Sequence, residues 1–176
     1  MEPGQDRKVA ALTFISYVHF LFGCDTMNKD EYYMKLALKE AKKAYYKGEV
    51  PVGTLIVLDD KIISKGYNLR ETTKDITKHA ELIAIKKASK KYYDWRLENA
   101  VLYVTLFPCP MCASAIVQSR ISMIVVGAPT LDYKSKDLVN KIFEGSNISP
   151  KVILKEGILE TECKNLLSNF FKEQRK

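Results

Sequence analysis

Two short stretches of this chain carry residue types that bind metals and move protons. One is Cys109-Pro110-Met111-Cys112, a pair of thiols three positions apart that follows an apolar run; the other, well upstream, is His79-Ala80-Glu81. Each is ambiguous alone. A C-x-x-C at a helix start can be a redox dithiol, because the positive end of a helix lowers thiol pKa. A lone histidine is ordinarily a core or capping residue, and a lone first-turn glutamate ordinarily faces solvent. Together they point elsewhere. One imidazole nitrogen and two thiolates form a donor set suited to zinc, and three protein donors leave the fourth tetrahedral position open, as a catalytic site requires. Two thiolates, a neutral imidazole and a dication also sum to roughly zero charge. Glu81, two residues beyond the histidine, is long enough to reach past a metal held by His79, Cys109 and Cys112 and to carry the proton of a zinc-activated water.

Such chemistry requires two helix starts to converge. Apolar residues at helical spacing predict a first helix over Lys29 to Lys47, stopped by Gly48. Two strands follow, Val52 to Leu58 and Lys61 to Tyr67, joined so tightly by Asp59-Asp60 that they must be an antiparallel hairpin. After a polar loop, "TKHAELIAIKKASKK" suits a helix beginning near Thr77, which puts His79 in its first turn. "AVLYVT" (Ala100 to Thr105) is a buried type of strand, "CPMCASAIVQSR" a helix with Pro110 at its permitted first position, and "SMIVVGA" another strand. Strand, helix, strand implies a parallel crossover. A short helix around Asp137 to Phe143, a strand at Val152 to Leu154 and a last helix from Ile158 complete the pattern. That last helix has Leu159, Cys163, Leu166, Leu167, Phe170 and Phe171 on its apolar face. The expected architecture is a three-layer α/β/α sandwich with one mixed five-stranded sheet.

The chain has 176 residues, with 28 Lys and Arg against 21 Asp and Glu and a formal net charge of +7. That length buries a core without disulfide staples. The excess basic residues gather at Lys86-Lys87, Lys90-Lys91, Lys134-Lys136 and in the tail "FFKEQRK". They fit a polyanionic partner such as nucleic acid, and equally a set of solvated lysine faces. Four cysteines at irregular spacing exclude a disulfide-framework secreted protein and favour a reducing, cytoplasmic setting. Residues 1–26 differ from the rest. Their apolar run, Val9 to Gly23, is too short to span a bilayer. As a secretory or lipoprotein leader ending at Cys24, it has Phe22 where a small residue is wanted. Met27 opens a clean helix start, so 1–26 read as an atypical extension upstream of the natural start, with a packed arm as the remaining alternative. Residues 27–176 then form one zinc-dependent domain.

H-x-E paired with P-C-x-x-C is the signature of zinc deaminases. From Met27 to its end the chain resembles the cytidine/deoxycytidylate deaminase superfamily, and most closely its bacterial tRNA adenosine deaminases. The likeness includes "EVPVG" (Glu49 to Gly53), "GYN" (Gly66 to Asn68), "DWRLENAVLYVTL" and "GILETECKNLLSNFFK". It implies a cytidine deaminase-like fold and one zinc per subunit on His79, Cys109 and Cys112. It makes Glu81 the general acid/base, and Asn68, Ala80 and Pro108 the substrate-binding positions. Read without the resemblance, Asn68 is as readily a turn residue. The implied reaction is hydrolytic deamination of adenosine to inosine at the wobble position of tRNA. The implied partners are the tRNA anticodon loop and a second copy of the chain, with no membrane. The alternatives are a free-base or nucleoside deaminase of the same fold and a non-catalytic zinc-binding RNA module.

Several positions depart from the family pattern. Thr130 stands where the family has an acidic residue, Ser149-Pro150-Lys151 replaces Asn-His-Arg, and Ile76-Thr77-Lys78 replaces Pro-Thr-Ala. Phe107 replaces the glutamate of Thr-Leu-Glu-Pro-Cys. An aromatic accepts no hydrogen bonds there, so the expectation is an apolar support behind the zinc loop.

Overall fold

Two aspartates turn the chain at its first hairpin. In the computed structural model, which describes residues 28–130, 132–145 and 151–175, Asp59 and Asp60 both adopt positive φ, 48° and 60°. Such a pair matches the twist of the strands it joins. The strands are β1 (Gly53–Leu58) and β2 (Lys61–Tyr67), antiparallel as expected, with an irregularity between Ile56 and Val57. The expectations for residues 1–26, and for Ser149 and Pro150, lie outside the described residues.

Before the hairpin runs α1 (Lys29–Tyr45). Asn28 caps it by accepting the Asp30 N–H at 3.1 Å, and Gly48, at φ +72°, lets the chain leave it. The hydroxyl of Tyr103 donates to Asp30 Oδ1 at 2.8 Å, and Lys155 pairs with the same carboxylate. One aspartate therefore ties the start of α1 to two strands.

After the hairpin come α2 (Arg70–Thr73), α3 (Ala80–Tyr92), β3 (Val101–Leu106), α4 (Pro110–Gln118), β4 (Met123–Ala128), α5 (Tyr133–Phe143), β5 (Ile153–Lys155) and α6 (Glu160–Glu173). The sheet order is β2-β1-β3-β4-β5, with β1 antiparallel to both neighbours and β3, β4 and β5 parallel. Alternation along the strands feeds two cores. Ile56, Leu102, Val104 and Val126 face α3, α4 and α5, whereas Leu55, Val57, Tyr103 and Val125 pack with α1 and α6. These are the three layers and the mixed five-stranded sheet expected of the sequence.

Four local readings need correction. The stretch after β2 is not only loop, because Arg70 to Thr73 form the turn of helix α2. Next, α3 starts at Ala80 rather than near Thr77, so His79 is its N-cap rather than a first-turn residue. Asp75 is the reason: its carboxylate accepts the Thr77 N–H at 2.8 Å and the Thr77 hydroxyl at 2.6 Å. A turn stabilised in that way competes with helix. Third, α5 begins at Tyr133, well before Asp137, since Asp132 caps it through the N–H groups of Lys134 and Ser135. Fourth, Phe171 is 45% exposed whereas Phe170 is buried. Cys163 is buried, a core residue as expected.

The approach of β2 to α3 decides where His79 and Glu81 sit, and it requires glycine. A Cβ on Gly66 would lie 2.2 Å from the backbone oxygen of Ala80, the first residue of α3. Gly66→Ala should therefore lower stability by about 1–3 kcal/mol. Urea unfolding measures this, with the loss appearing as an earlier midpoint at unchanged slope.

Candidate active site

Each ligand-bearing helix begins in the same way. His79 is the N-cap of α3 at φ −72°, ψ 150°, and Cys109 the N-cap of α4 at φ −76°, ψ 166°. Neither side chain caps its own helix, so both can reach across to the other. Pro110 begins α4 at a position where its missing N–H costs nothing. Cys112, one turn into the same helix, is fully buried.

Across this junction His79 Nδ1 lies 3.6 Å from Cys109 Sγ and 3.5 Å from Cys112 Sγ. The three donor atoms all fall within 4.8 Å of one another. A tetrahedron with ordinary Zn–S and Zn–N bonds has N···S edges of about 3.6 Å, so the spacing fits a zinc ion. Charge fits as well. The Cys112 thiol donates to Cys109 and, with His79, brings the Cys109 thiol down to about 4. Cys112 is pushed the opposite way, because it keeps the proton between the two sulfurs and is buried. Hydrogen bonding to Cys109 raises His79. Both side chains sit at the positive N-terminal ends of helices, which favours anionic sulfur.

Glu81, in the first turn of α3, is 3% exposed. Burial pushes its carboxyl up, outweighing the charge of His79 and the hydrogen bonds that favour the ionised form. A carboxyl raised in this way holds a proton more readily than an exposed one. Beside it opens a cleft of about 150 Å³ lined by Val52, Asn68, Arg70, Ala80, Glu81 and Phe107 among others. His79, Cys109, Glu81, Asn68 and Ala80 are thus gathered on one cleft, whereas Pro108 is buried between two of its lining residues.

Sequence reasoning missed Arg70 in this cleft and Glu49 behind it. Arg70, the first residue of α2, lines it and pairs with Glu71 at 2.8 Å. Glu49, 0% exposed, accepts the Thr72 N–H at 2.6 Å, the Glu71 N–H at 3.0 Å and the Asn68 side-chain amide at 3.4 Å. The only signal for Glu49 was its place in "EVPVG", which carries no chemistry by itself. Of the departures, Thr130 accepts the Asp132 N–H at 3.1 Å in the turn before α5. Lys78 lies 3.5 Å from Asp75.

Phe107 is buried in the apolar cluster that includes Ala113 and Ile116 of α4, consistent with an apolar support. The Lys136 ammonium lies 5.4 Å from its ring centroid and pairs with Glu156 at 2.8 Å. The metal-donor atoms all come from other residues, and Lys136 is at hand to pair with an introduced carboxylate. Phe107→Glu should therefore leave the metal content of the purified protein unchanged, as elemental analysis would measure.

Residues 27–128 match the model of the cytidine and deoxycytidylate deaminase zinc-binding region. A tRNA-specific adenosine deaminase of Bacillus subtilis is 45% identical over 85% of this chain and 93% of its own length. Another, from Buchnera aphidicola, is 45% identical over 84% of this chain and 97% of its own. A solved structure from work on A-to-I editing by tRNA:A34 deaminases at the wobble position of transfer RNA is 34% identical. It aligns over 77% of this chain and 99% of its own, with a TM-score of 0.71.

Proposed function

The chain belongs to the cytidine and deoxycytidylate deaminase zinc-binding family, and from that premise we propose that it hydrolyses adenosine to inosine at the wobble position of tRNA. The observation that carries this reading is the buried Glu81 beside a cluster of three zinc-type donors, two of which, His79 and Cys109, line the same cleft. The high identity to tRNA-specific adenosine deaminases over nearly their whole length supports the substrate.

In this reading His79, Cys109 and Cys112 hold zinc, which supplies Lewis acidity and makes a water ionisable near neutral pH. Asn68 and Ala80, which line the cleft, bind the base. Glu81 takes one proton from the attacking water and delivers it to the purine ring nitrogen. It then assists the departure of the exocyclic amine as ammonia, so adenosine plus water gives inosine plus ammonia. Burial suits Glu81 to this, because a carboxyl held above its usual range both accepts and returns a proton readily. An adenosine in an anticodon loop is displaced into such a cleft at less cost than one in a duplex. The same premise makes the working form a cytoplasmic homodimer. Among the described residues no helix is long and apolar enough to cross a membrane.

A second reading, a deaminase of free bases or nucleosides, is favoured by the sequence departures at Thr130 and Ser149-Pro150-Lys151. Metal-replete protein incubated with tRNA bearing a wobble adenosine, and separately with free adenosine, cytidine, adenine and guanine, should form inosine only in the tRNA. Rising salt should weaken tRNA binding steeply as phosphate counterions return. Turnover of a free compound with a flat salt response would replace the first reading with the second.

Glu81→Gln should retain zinc and lose about 10²- to 10⁴-fold in rate, the usual contribution of a positioned acid/base. Single-turnover kinetics on tRNA measure it, and a loss under about tenfold would remove Glu81 from proton transfer.

A further inference from the structure

A second buried carboxylate, Glu49, lies behind the cleft and is hydrogen-bonded to Asn68 in its lining. Glu49 Oε1 accepts from the Thr72 N–H, and Oε2 accepts from both the Glu71 N–H and Asn68 Nδ2. Burial alone would raise this carboxyl. The Thr72 N–H and hydroxyl, the Glu71 N–H and the charge of Arg70 outweigh burial and hold it below the usual carboxylate range. Glu49 is thus an anion with filled lone pairs, and it takes no part in the proton transfers assigned to Glu81.

An ionised carboxylate only accepts hydrogen bonds, whereas an asparagine amide can present either its NH2 or its carbonyl. Asn68 must therefore turn its NH2 toward Glu49, which removes the flipped orientation. Asn68 also lines the cleft, as does Arg70, whose helix Glu49 caps. We propose that Glu49 is a positioning residue for the deamination: it locks the Asn68 amide in one orientation, so that the base meets one hydrogen-bond polarity. This rests on the deaminase reading above. A free amide would divide its population between two orientations, of which the purine edge matches one, and binding energy would be lost before chemistry begins.

Glu49→Gln tests this at constant size. Its carbonyl can keep a backbone N–H, but it then offers an NH2 to Asn68, which favours the flipped amide. With metal-replete protein and tRNA bearing a wobble adenosine, kcat/KM should fall about 10- to 100-fold, the range of a charge-assisted hydrogen bond. In an Asn68→Ala background the same substitution should cost less than about threefold, because Glu49 acts through Asn68. Equal losses in both backgrounds would mean that Glu49 only supports α2, and would overturn the proposal. A second arm needs neither turnover nor a variant. In wild-type protein the side-chain NH2 protons of Asn68, followed by NMR, should exchange with solvent far more slowly than those of the exposed Asn99. Equal rates would overturn the proposal too. Wild-type protein inactive on tRNA but with protected Asn68 protons would count against the deaminase reading while upholding the lock.

Discussion

Two helix N-termini have to meet at one point for this site to exist. His79 and Cys109 each occupy an extended N-cap position, and each turns its side chain away from its own helix toward the other. The meeting brings the positive ends of two helices to the sulfurs, where they stabilise negative charge. Everything else that brings the helices together serves this junction. β3 delivers Cys109 to the start of α4, and the parallel return to β4 sets α4 across the sheet. Gly66 lets β2 approach α3 at backbone contact, and Asp75 delays the start of α3 until His79.

Around that junction two buried carboxyls are driven in opposite directions by their surroundings. At Glu81 burial outweighs the hydrogen bonds and the His79 charge that favour the ionised form, and raises it. Glu49 is just as buried, yet it takes up the free N–H groups at the start of α2 and stays ionised. The same residue type is thus pushed toward its neutral form in one place and held as an ionised acceptor in another. Such a division of labour is the expected mark of an acid/base site assembled from backbone and burial rather than from residue choice alone.

The departures from the family pattern are accommodated outside the donor set. Phe107 adds to the apolar cluster beneath α4 and meets the Lys136 ammonium through its ring face. Thr130 serves a turn in which Asp132 caps α5. These are changes in how the cleft's wall and rim are built, and the geometry of His79, Cys109 and Cys112 remains compatible with zinc.

The sequence by itself determined the candidate metal donors, the layered architecture and the parallel crossover. Each depends on local spacing: H-x-E, P-C-x-x-C, a two-residue turn between strands, and alternation along buried strands. Helix starts were less legible, because side chains such as Asp75 and Asp132 decide them through hydrogen bonds that propensity does not register. Nothing in "EVPVG" indicated that Glu49 would be buried against Asn68 and the first turn of α2, residues remote from it in the chain. Tertiary structure alone decided that pairing, and with it which carboxyl is protonatable. A carboxyl's pKa and an amide's orientation are set by the groups folded around them, and a residue's type says nothing of those neighbours.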